Sequence, residues 1–250
     1  MTDVMHIPEA AEGAPPASDA GVVEKRKRIR RIAARAGKVA FKVLAWYYAV
    51  CLALLVVYRF ATPPITTVQL QRRLEAAVTG KEYSIERNVV AGERIPRHVA
   101  RAVVAAEDGD FWNHWGFDLD EMRAASLEAF DGGMPRGAST ITQQLMKNLF
   151  GTTNQNPLRK LLDMALTPPA ELILGKDRIL ELYLNNVEWG PGVFGIDAAA
   201  RHHYQTTVRG LSRSQAAGLA ALLPNPLRRT PRNTPNYRAE ILRRMNHRGW

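Results

Sequence analysis

Residues 137–148 read GASTITQQLMKN, and this stretch decides the fold class because its apolar positions recur at helical spacing. Ile141 and Leu145 are four residues apart, and Leu149 follows at the same interval. Side chains four residues apart fall on one face of an α-helix, whereas a strand would show alternation with a period of two. The stretch therefore predicts a short amphipathic helix with one face in a hydrophobic core.

The polar residues of this predicted helix lie away from its apolar face. Gln143 with Lys147, and Gln144 with Asn148, are pairs four residues apart. Together they would make a wall rich in hydrogen-bond donors, suited to hydroxyls, amides or a phosphate. A plain amphipathic surface helix is the alternative, although such helices usually carry Glu and Lys. Thr140 and Gln143 also have the spacing of a capping box at the start of the helix.

Helical spacing continues on both sides of this stretch. Apolar residues recur before Glu107, again after Gly175, and in an Ala/Leu-rich segment further on. Asn156 followed by Pro157 is a start signal, because Asn caps a helix and Pro suits its first position. The sequence contains no internal repeat and no alternation of strands with helices. We predict a mainly α-helical domain, in which residues 65–90 form a mixed helical and extended segment.

A dense polar stretch, EDGDFWNHWGFD, follows the first of these helices at residues 107–118. Glu107 would stand at the edge of a core, where partial burial raises the pKa of a carboxylate and suits it to act as a general base. Three aromatic residues could stack on a sugar ring or line a groove, namely Phe111, Trp112 and Trp115. A solvated acidic turn anchored by aromatic side chains is the alternative, and composition alone favours that turn.

A further charged group, RKLLD, lies at residues 159–163. Arg159 and Asp163 are four residues apart and would reach the same face of a helix, with Lys160 beside them. Two cations near the start of a helix make a reasonable grip for a pyrophosphate. An ordinary surface salt bridge is the alternative, and it is favoured when this element is taken alone. The sequence lacks the GxxxxGK[ST], GxGxxG and HExxH motifs of other enzyme classes.

The charge of the chain is concentrated near its start. Its 250 residues carry 34 Lys and Arg against 24 Asp and Glu, a net charge of +10 that suggests nucleic-acid binding. Nine of these cations lie within residues 25–42, which contain no acid. The 208 residues after position 42 carry 25 cations and 19 acids, a mild excess that we interpret as spread over the domain. The single cysteine, Cys51, excludes an intramolecular disulfide framework.

An uncharged apolar run, VLAWYYAVCLALLVVY, follows the cations at residues 43–58. Extended to Ala61, it would form about 28 Å of helix, which matches the hydrocarbon core of a bilayer. A buried core helix and a cleavable signal peptide are the alternatives, but the run has no amphipathic stripe and no convincing cleavage site. The positive-inside rule then places the N-terminus in the cytoplasm and the residues after the span outside it.

The polar stretches, in this order and spacing, resemble the motifs of the peptidoglycan glycosyltransferases. The family pattern E-D-x-x-F-x-x-H-x-G-x-D is met at residues 107–118, and G-x-S-T-I-x-Q-Q-x-x-K-N is met at residues 137–148. Three further motifs of the family fit at residues 176–185, 192–200 and 222–226. The resemblance covers about residues 65–250. It is to the monofunctional, membrane-anchored form, because the length of the chain leaves no room for a transpeptidase domain.

The resemblance implies a lysozyme-like helical lobe beside a small membrane-proximal jaw. It also implies that lipid II, a disaccharide-pentapeptide on undecaprenyl pyrophosphate, is polymerised into glycan strands with inversion and release of the lipid pyrophosphate. The expected location is the bacterial plasma membrane, with the catalytic domain in the periplasm. Four segments are predicted: a tail that is first disordered and then basic (1–42), a transmembrane anchor (43–61), a connector with the start of the jaw (62–90), and the glycosyltransferase domain (91–250).

The resemblance further implies roles for individual residues. Glu107 would be the general base that takes the proton from the acceptor hydroxyl, and Asp163 would be the second catalytic carboxylate. Lys147, Arg159 and Lys160 would neutralise the pyrophosphate. The other residues expected to bind substrate come from the two longest motifs: Asp108, Phe111, His114, Ser139, Thr140, Gln143, Gln144 and Asn148.

The chain departs from the family pattern at a few positions. Asp163 stands where the family has a glutamate and is one methylene shorter, so its carboxylate reaches less far by more than about 1 Å. A misplacement on that scale can cost about 100-fold in rate. Gln155 stands where the family commonly has an arginine, which would remove one contact to pyrophosphate. Pro168 and Pro169 are expected to interrupt a helix that the family usually continues.

These departures leave three functions open: an active polymerase, a membrane scaffold of weakened activity in the wall-synthesis complex, and a lytic lysozyme-like hydrolase. The basic residues and the anchor argue against the hydrolase. No cofactor is expected to be required, although a divalent cation (Mg²⁺ or Mn²⁺) could bind at Asp108, Asp110 and Asp118. The expected partners are lipid II, the growing glycan strand, the membrane and other cell-wall synthesis proteins, and not nucleic acid.

Overall fold

The computed structural model describes residues 18–80, 82–130, 137, 139–154 and 156–250. Within it the chain divides into two compact units, the first ending at Ala49 and the second running from Val50 to Trp250. The described part is mainly helical, as the sequence predicts, with one small sheet.

Helices account for most of the described residues, and the strands are short. The helices are α1 (Ser18–Phe60), α2 (Thr67–Thr79), α3 (Arg97–Glu107), α4 (Leu119–Phe130), α5 (Ile141–Phe150), α6 (Pro157–Leu174), α7 (Lys176–Asn186), α8 (Ile196–Tyr204), α9 (Arg213–Ala220) and α10 (Pro235–His247). The strands are β1 (Glu86–Arg87), β2 (Glu188–Gly190) and β3 (Val193–Phe194), and short 3₁₀ turns lie at Gly92–Arg94 and Val208–Gly210.

Helix α1 contains the apolar run that the sequence predicts as an anchor. Its residues 23–60 are long and apolar enough to cross a membrane, and no other helix in the described part of the chain meets that test. The helix already begins at Ser18, so residues 18–24, which composition predicts as disordered, are helical. Residues 1–17 of the predicted disordered tail lie outside the described residues.

The last turns of α1, which belong to the second unit, are bonded to other helices of that unit. Arg59 donates from Nη1 to the carbonyl oxygen of Ile173 near the end of α6, at 2.6 Å. Arg178 of α7 donates from Nε to the carbonyl oxygen of Tyr58 at 2.9 Å. The rings of Tyr58 and Phe150 stack with their centroids 6.2 Å apart. Residues 50–60 are therefore part of the packed domain.

Two groups of helices build the domain core. Helix α5 packs against α2, α6 and α7, and helix α3 packs against α9 and α10. In the small sheet, β3 lies between β1, which is parallel to it, and β2, which is antiparallel. The largest fully buried side chains include Trp189, Tyr183, Phe111 and Phe194. Hydrogen bonds join the loop from α3 to α4 to the start of α5, and the polar stretches that the sequence singles out lie at this junction.

Helix α6 runs through Pro168 and Pro169 to Leu174, so the predicted interruption is wrong. Proline removes a backbone donor and disfavours a helix interior, but side chains on both sides of the pair hold the flanking turns. Thr167 donates from its hydroxyl to the carbonyl oxygen of Asp163 at 2.9 Å. Glu171 accepts hydrogen bonds from Thr142 of α5 and from Lys176 of α7. Tertiary packing therefore overrides the local effect of the two prolines.

Candidate active site

Glu107 is the last residue of α3, and its carboxylate is held by an amide from α5. Gln144 donates from Nε2 to Oε2 of Glu107 at 2.8 Å. Burial raises the pKa of Glu107, while the hydrogen bond from Gln144 and the charges of Lys147 and Arg229 partly oppose that rise. A carboxylate with a raised pKa is suited to accept a proton near neutral pH. The role of Glu107 as the general base stays a prediction, and its burial and its bond to Gln144 are compatible with that role.

The amide of Gln144 is itself fixed by a second residue. The hydroxyl of Tyr183, on α7, donates to Oε1 of Gln144 at 2.8 Å. Tyr183 is 1% exposed, and its burial raises the pKa of the phenol well above 10, so it stays a donor at neutral pH. A donor at Oε1 leaves the NH₂ group of Gln144 directed at Glu107. Tyr183, Gln144 and Glu107 thus form one hydrogen-bonded chain.

Asp108 joins the loop after α3 to the start of α5. Its Oδ2 accepts from the backbone N–H of Ile141 at 2.9 Å, and its Oδ1 lies 2.7 Å from Nε2 of His114. The backbone N–H of Gly116 donates to Nδ1 of His114 at 3.1 Å, so the proton of the neutral imidazole lies on Nε2, facing Asp108. Gly116 has φ +80°, and a Cβ there would lie 2.3 Å from Thr167 Cγ2. Only glycine fits this close approach.

The predicted capping box of α5 is present, and it engages two of the expected substrate ligands. Thr140 accepts from the N–H of Gln143 and its own N–H donates to the Gln143 side chain, while its hydroxyl donates to the carbonyl oxygen of Gly116. Asn148 donates from Nδ2 to the carbonyl oxygen of Gln144 at 2.8 Å. All three polar side chains are buried. The predicted donor-rich wall is therefore bonded largely within the protein, and contact of these residues with substrate stays a prediction.

The three aromatic residues of the loop differ in their surroundings. Phe111 is fully buried, and the ammonium of Lys176 lies 4.4 Å from its ring centroid. Trp112 is 42% exposed and Trp115 is 73% exposed. Phe111 therefore supports the loop from inside, because a fully buried ring is not accessible to a sugar. Of the three, only Trp112 and Trp115 have ring surface available for stacking.

Asp163 and its cations form a second charged group near Lys147. Arg159 pairs with Asp163 through Nη1 and Oδ2 at 2.8 Å. Burial raises the pKa of Asp163 to about 6, although Arg159 and Lys147 both act to lower it. Burial also lowers the pKa of Lys147, and Arg159 acts in the same direction. A Cβ on Gly151 would lie 2.9 Å from Oδ1 of Asp163, so the backbone approaches this carboxylate closely.

Three remaining predicted positions contribute less to the geometry of the site. Lys160 is exposed on the outer side of α6, while Ser139 is half-buried and its carbonyl oxygen lies 3.3 Å from Nε2 of Gln144. Gln155, the expected replacement for a pyrophosphate-binding arginine, lies outside the described residues.

The acidic residues considered as cation ligands do not gather as one group. Asp110 pairs with Arg248 at 3.2 Å, whereas Asp108, His114 and Asp118 have potential ligand atoms within 4.8 Å of one another. In that trio both ring nitrogens of His114 and both carboxylate oxygens of Asp108 already take part in hydrogen bonds. The trio therefore fits a structural network better than a divalent cation, and we assign no chemical step to a metal ion.

Sequence reasoning missed three residues around Glu107. Helical spacing marks Tyr183 only as a core position, although it carries the hydrogen bond that orients Gln144. Tyr237 donates to the carbonyl oxygen of Ala106 at 3.0 Å. The guanidinium of Arg229 lies 5.3 Å from the centroid of the Tyr237 ring. Two signals for these residues were available in the sequence. Tyr183 lies within the motif at 176–185, and Arg229 follows the motif at 222–226.

Comparison with known proteins gives the same assignment as the motifs. The Transglycosylase family model matches residues 74–247. A biosynthetic peptidoglycan transglycosylase of Pseudomonas savastanoi pv. phaseolicola is 45% identical over 185 residues, which cover 74% of this chain and 78% of that protein. A protein of the same name from Pseudomonas putida strain F1 is 44% identical over 75% of this chain and 79% of its own length. Another from Pseudomonas fluorescens Pf0-1 is 45% identical over 74% of this chain and 77% of its own length.

Proposed function

Because the chain belongs to the transglycosylase family, it polymerises glycan strands from lipid II, and we propose that Glu107 is the general base of that reaction. The observation that carries this proposal is the setting of Glu107. Its carboxylate is half-buried, has a raised pKa, and is oriented by Gln144. Asp108 at the same junction accepts from a backbone N–H, whereas no other carboxylate there in the described part of the chain accepts from a side-chain amide.

In the proposed step, Glu107 takes the proton from the 4-hydroxyl of the acceptor N-acetylglucosamine. The oxygen of that hydroxyl attacks the anomeric carbon of the donor N-acetylmuramic acid from the face opposite the leaving group, with inversion. The bond from the anomeric carbon to the lipid pyrophosphate breaks, and the electron pair leaves with the pyrophosphate. Such transition states are oxocarbenium-like, and a positioned carboxylate base contributes about 10²- to 10⁴-fold to the rate.

The leaving pyrophosphate is proposed to meet Lys147 and Arg159. Preorganised cations that face developing negative charge provide a large share of transition-state stabilisation. Arg159 is held by Asp163, and the charge of Asp163 also acts on Lys147. We therefore assign Asp163 the role of arranging the two cations rather than of moving a proton. Lys160, which is exposed one residue after Arg159, would extend the same positive surface.

The membrane topology is a further part of the proposal. Helix α1 is suited to span a bilayer, and nine cations precede its apolar run. These cations support a cytoplasmic N-terminus and a catalytic domain on the outer face of the plasma membrane. A membrane-bound enzyme suits a substrate whose lipid tail stays in the bilayer. Partner proteins from the wall-synthesis complex remain a prediction from the family resemblance.

The test uses the full chain in detergent with labelled lipid II. Wild type should produce glycan chains that lysozyme digests, and Glu107→Gln should lower the rate about 10³-fold, since it keeps the shape but loses the base. Glu82→Gln is the matched control, because Glu82 is an exposed glutamate outside the site, and it should polymerise like wild type.

Two outcomes would contradict the assignment. Full polymerisation by Glu107→Gln would show that another group removes the proton. Release of fragments from preformed peptidoglycan by wild type, without chain formation from lipid II, would instead support the hydrolase.

A further inference from the structure

The positive charge of the domain is concentrated in one part of the chain, which corrects the even spread expected from the sequence. Residues 43–200 carry 15 Lys and Arg against 18 Asp and Glu. Residues 201–250 carry ten arginines and a single acid, Glu240. The surplus of the domain therefore lies in its last fifty residues, around α9 and α10.

Four of these ten arginines pair with an acidic side chain, and Arg228, Arg229 and Arg232 are among the six that do not pair with one in the described part of the chain. Arg201 pairs with Asp197, Arg243 and Arg244 pair with Glu240, and Arg248 pairs with Asp110. By contrast, no ion pair joins Arg228, Arg229 or Arg232 to an acid among the residues that the structure describes. Arg228 and Arg232 are exposed, and Arg229 is half-buried. We call these three residues the arginine turn.

The arginine turn is a fixed structure between α9 and α10. Asn233 closes it, since its Oδ1 accepts from the N–H of Thr230 at 2.8 Å and its Nδ2 donates to the carbonyl oxygen of Arg228 at 3.1 Å. Arg229 donates from Nη1 to the carbonyl oxygen of Ala221 at 3.0 Å. A turn that is held by its own hydrogen bonds presents its cations at a lower entropic cost than a mobile loop would.

The arginine turn adjoins the proposed catalytic base. The guanidinium of Arg229 lies 5.3 Å from the ring centroid of Tyr237, whose hydroxyl donates to the carbonyl oxygen of Ala106, the residue before Glu107. The positive charge of Arg229 also acts to lower the pKa of Glu107. Cations therefore reach Glu107 from two separate segments: Lys147 from α5, and Arg229 from the turn between α9 and α10.

We propose that the arginine turn binds the carboxylates of the stem peptide on the substrate or the growing strand. This inference rests on the proposed function, because it places a substrate peptide beside Glu107. A pentapeptide on each disaccharide has at least its terminal carboxylate, so the product is a polyanion with regularly spaced charges. Arginine binds carboxylates through paired N–H donors. Lys147 and Arg159 would then bind the pyrophosphate, and the arginine turn would bind the peptide.

The decisive experiment compares two forms of lipid II, one with its native stem peptide and one with the peptide carboxylates amidated. Arg228→Glu/Arg232→Glu should raise KM for native lipid II about fivefold to twentyfold at low salt, with kcat changed less than about twofold, since each exposed ion pair contributes modestly. The same variant should match wild type on the amidated substrate. The effect should shrink at about 0.5 M salt, where the screening length is short.

Arg209→Glu provides a matched control, because Arg209 is exposed and lies on a different turn of the same positively charged segment. Arg209→Glu changes the charge of the chain by the same amount as Arg228→Glu or Arg232→Glu alone. It should leave KM for both substrates close to the wild-type value. Equal losses in Arg209→Glu and in either single variant, Arg228→Glu or Arg232→Glu, would mean that general charge, and not the arginine turn, attracts the substrate.

Three results would overturn the proposal. In the first, KM for native lipid II is unchanged in the double variant. In the second, KM rises by the same factor for native and amidated lipid II, which would point to the pyrophosphate as the ligand. Loss of binding to anionic vesicles, with KM unchanged in detergent, would identify a lipid surface as the ligand. Direct binding of soluble glycan-peptide fragments, native and amidated, gives the same comparison without catalysis. A failure of Glu107 as the base would therefore be distinguishable from a failure of the arginine turn.

Discussion

Glu107 and Asp163 are both acidic side chains with a raised pKa, yet the protein holds them by different means. Glu107 accepts a hydrogen bond from an uncharged amide, which a buried phenol fixes in turn. Asp163 is held by Arg159 at 2.8 Å and lies in the field of Lys147. The first carboxylate is oriented by an uncharged hydrogen bond and the second by an ion pair, so the arrangement around Asp163 should respond more strongly to ionic strength. The difference matches the two roles that we propose, proton transfer at Glu107 and anion binding near Asp163.

The largest expected effect comes from removing the carboxylate of Glu107. Glu107→Gln should reduce polymerisation of lipid II about 10³-fold, within the range for loss of a general base. Asp163→Asn should cost about 100-fold or less, because it disturbs the arrangement of cations and leaves the base in place. Initial rates in detergent measure both. An equal loss in the two variants would remove the distinction between the two carboxylates.

The next effect tests how tightly the charged group is packed. Gly151→Ala would place a Cβ 2.9 Å from Oδ1 of Asp163 and 3.0 Å from the carbonyl oxygen of Lys147. We expect a rate loss of about 10- to 100-fold as Asp163 moves, since displacements near 1 Å have effects of that order. Gly37→Ala is the control, because a Cβ there would have no heavy atom of the described residues within 4 Å and Gly37 lies outside the site. Wild-type rates in Gly151→Ala would show that the position of Asp163 is not critical.

A smaller effect is expected from the phenol that orients Gln144. Tyr183→Phe should lower kcat about fivefold to tenfold, the equivalent of one hydrogen bond, with little change in KM. The hydrogen bond from the Gln144 amide favours the ionised carboxylate of Glu107 and lowers its pKa. Loosening Gln144 should therefore raise that pKa. The acid limb of kcat/KM should therefore move to higher pH.

Two controls distinguish this positioning role from a general loss of packing. Tyr204→Phe removes a buried hydroxyl that has no hydrogen-bond partner among the described residues, and it should leave the pH profile unchanged. In a Gln144→Ala background, Tyr183→Phe should cause no further shift of the acid limb, because the residue it acts through is gone. A further shift in that background would contradict the proposed chain of contacts.

The smallest expected effect is on stability and concerns Asp163. Its folded-state pKa of about 6 lies above the ordinary value of 3.8, so the folded protein binds this proton more tightly than the unfolded chain does. The resulting stability is fully present below about pH 4 and is lost as pH rises through 6. When the pH rises from 4 to 8, the unfolding free energy of wild type should therefore fall by about 1–3 kcal/mol more than that of Asp163→Asn, which has no carboxyl to titrate. Thermal unfolding of both proteins across that range checks the sign.

Much of the helical fold could be predicted because it depends on local patterns. The apolar spacing of α5, the capping box at Thr140 and the start signal at Asn156 are all present as predicted. Pro168 and Pro169 indicated a break that does not occur, because contacts of Thr167 and Glu171 with other groups hold α6 together. Local propensity is a weak guide where tertiary packing is strong.

The candidate site could be located from sequence, but its internal contacts could not. Glu107 lies at the edge of the core, as the apolar spacing before it predicts. The bond between Tyr183 and Gln144 joins residues 39 positions apart, and helical spacing gives no information on such a pair. Gln143 and Asn148 are expected to face substrate, yet their side chains bond within the protein. A polar residue beside a site can serve the backbone, and sequence alone does not separate the two uses.

The hydrogen bond from Ile141 to Asp108 provides a measure of how often the site opens. The N–H of Ile141 is held at 2.9 Å by the carboxylate of Asp108, the residue after the proposed base, so its proton can exchange with solvent only when the loop after α3 separates from α5. Exchange at a protected amide reports the free energy of the opening that exposes it. The deuterium uptake of this one amide, followed over time, would therefore report how often the two halves of the site part.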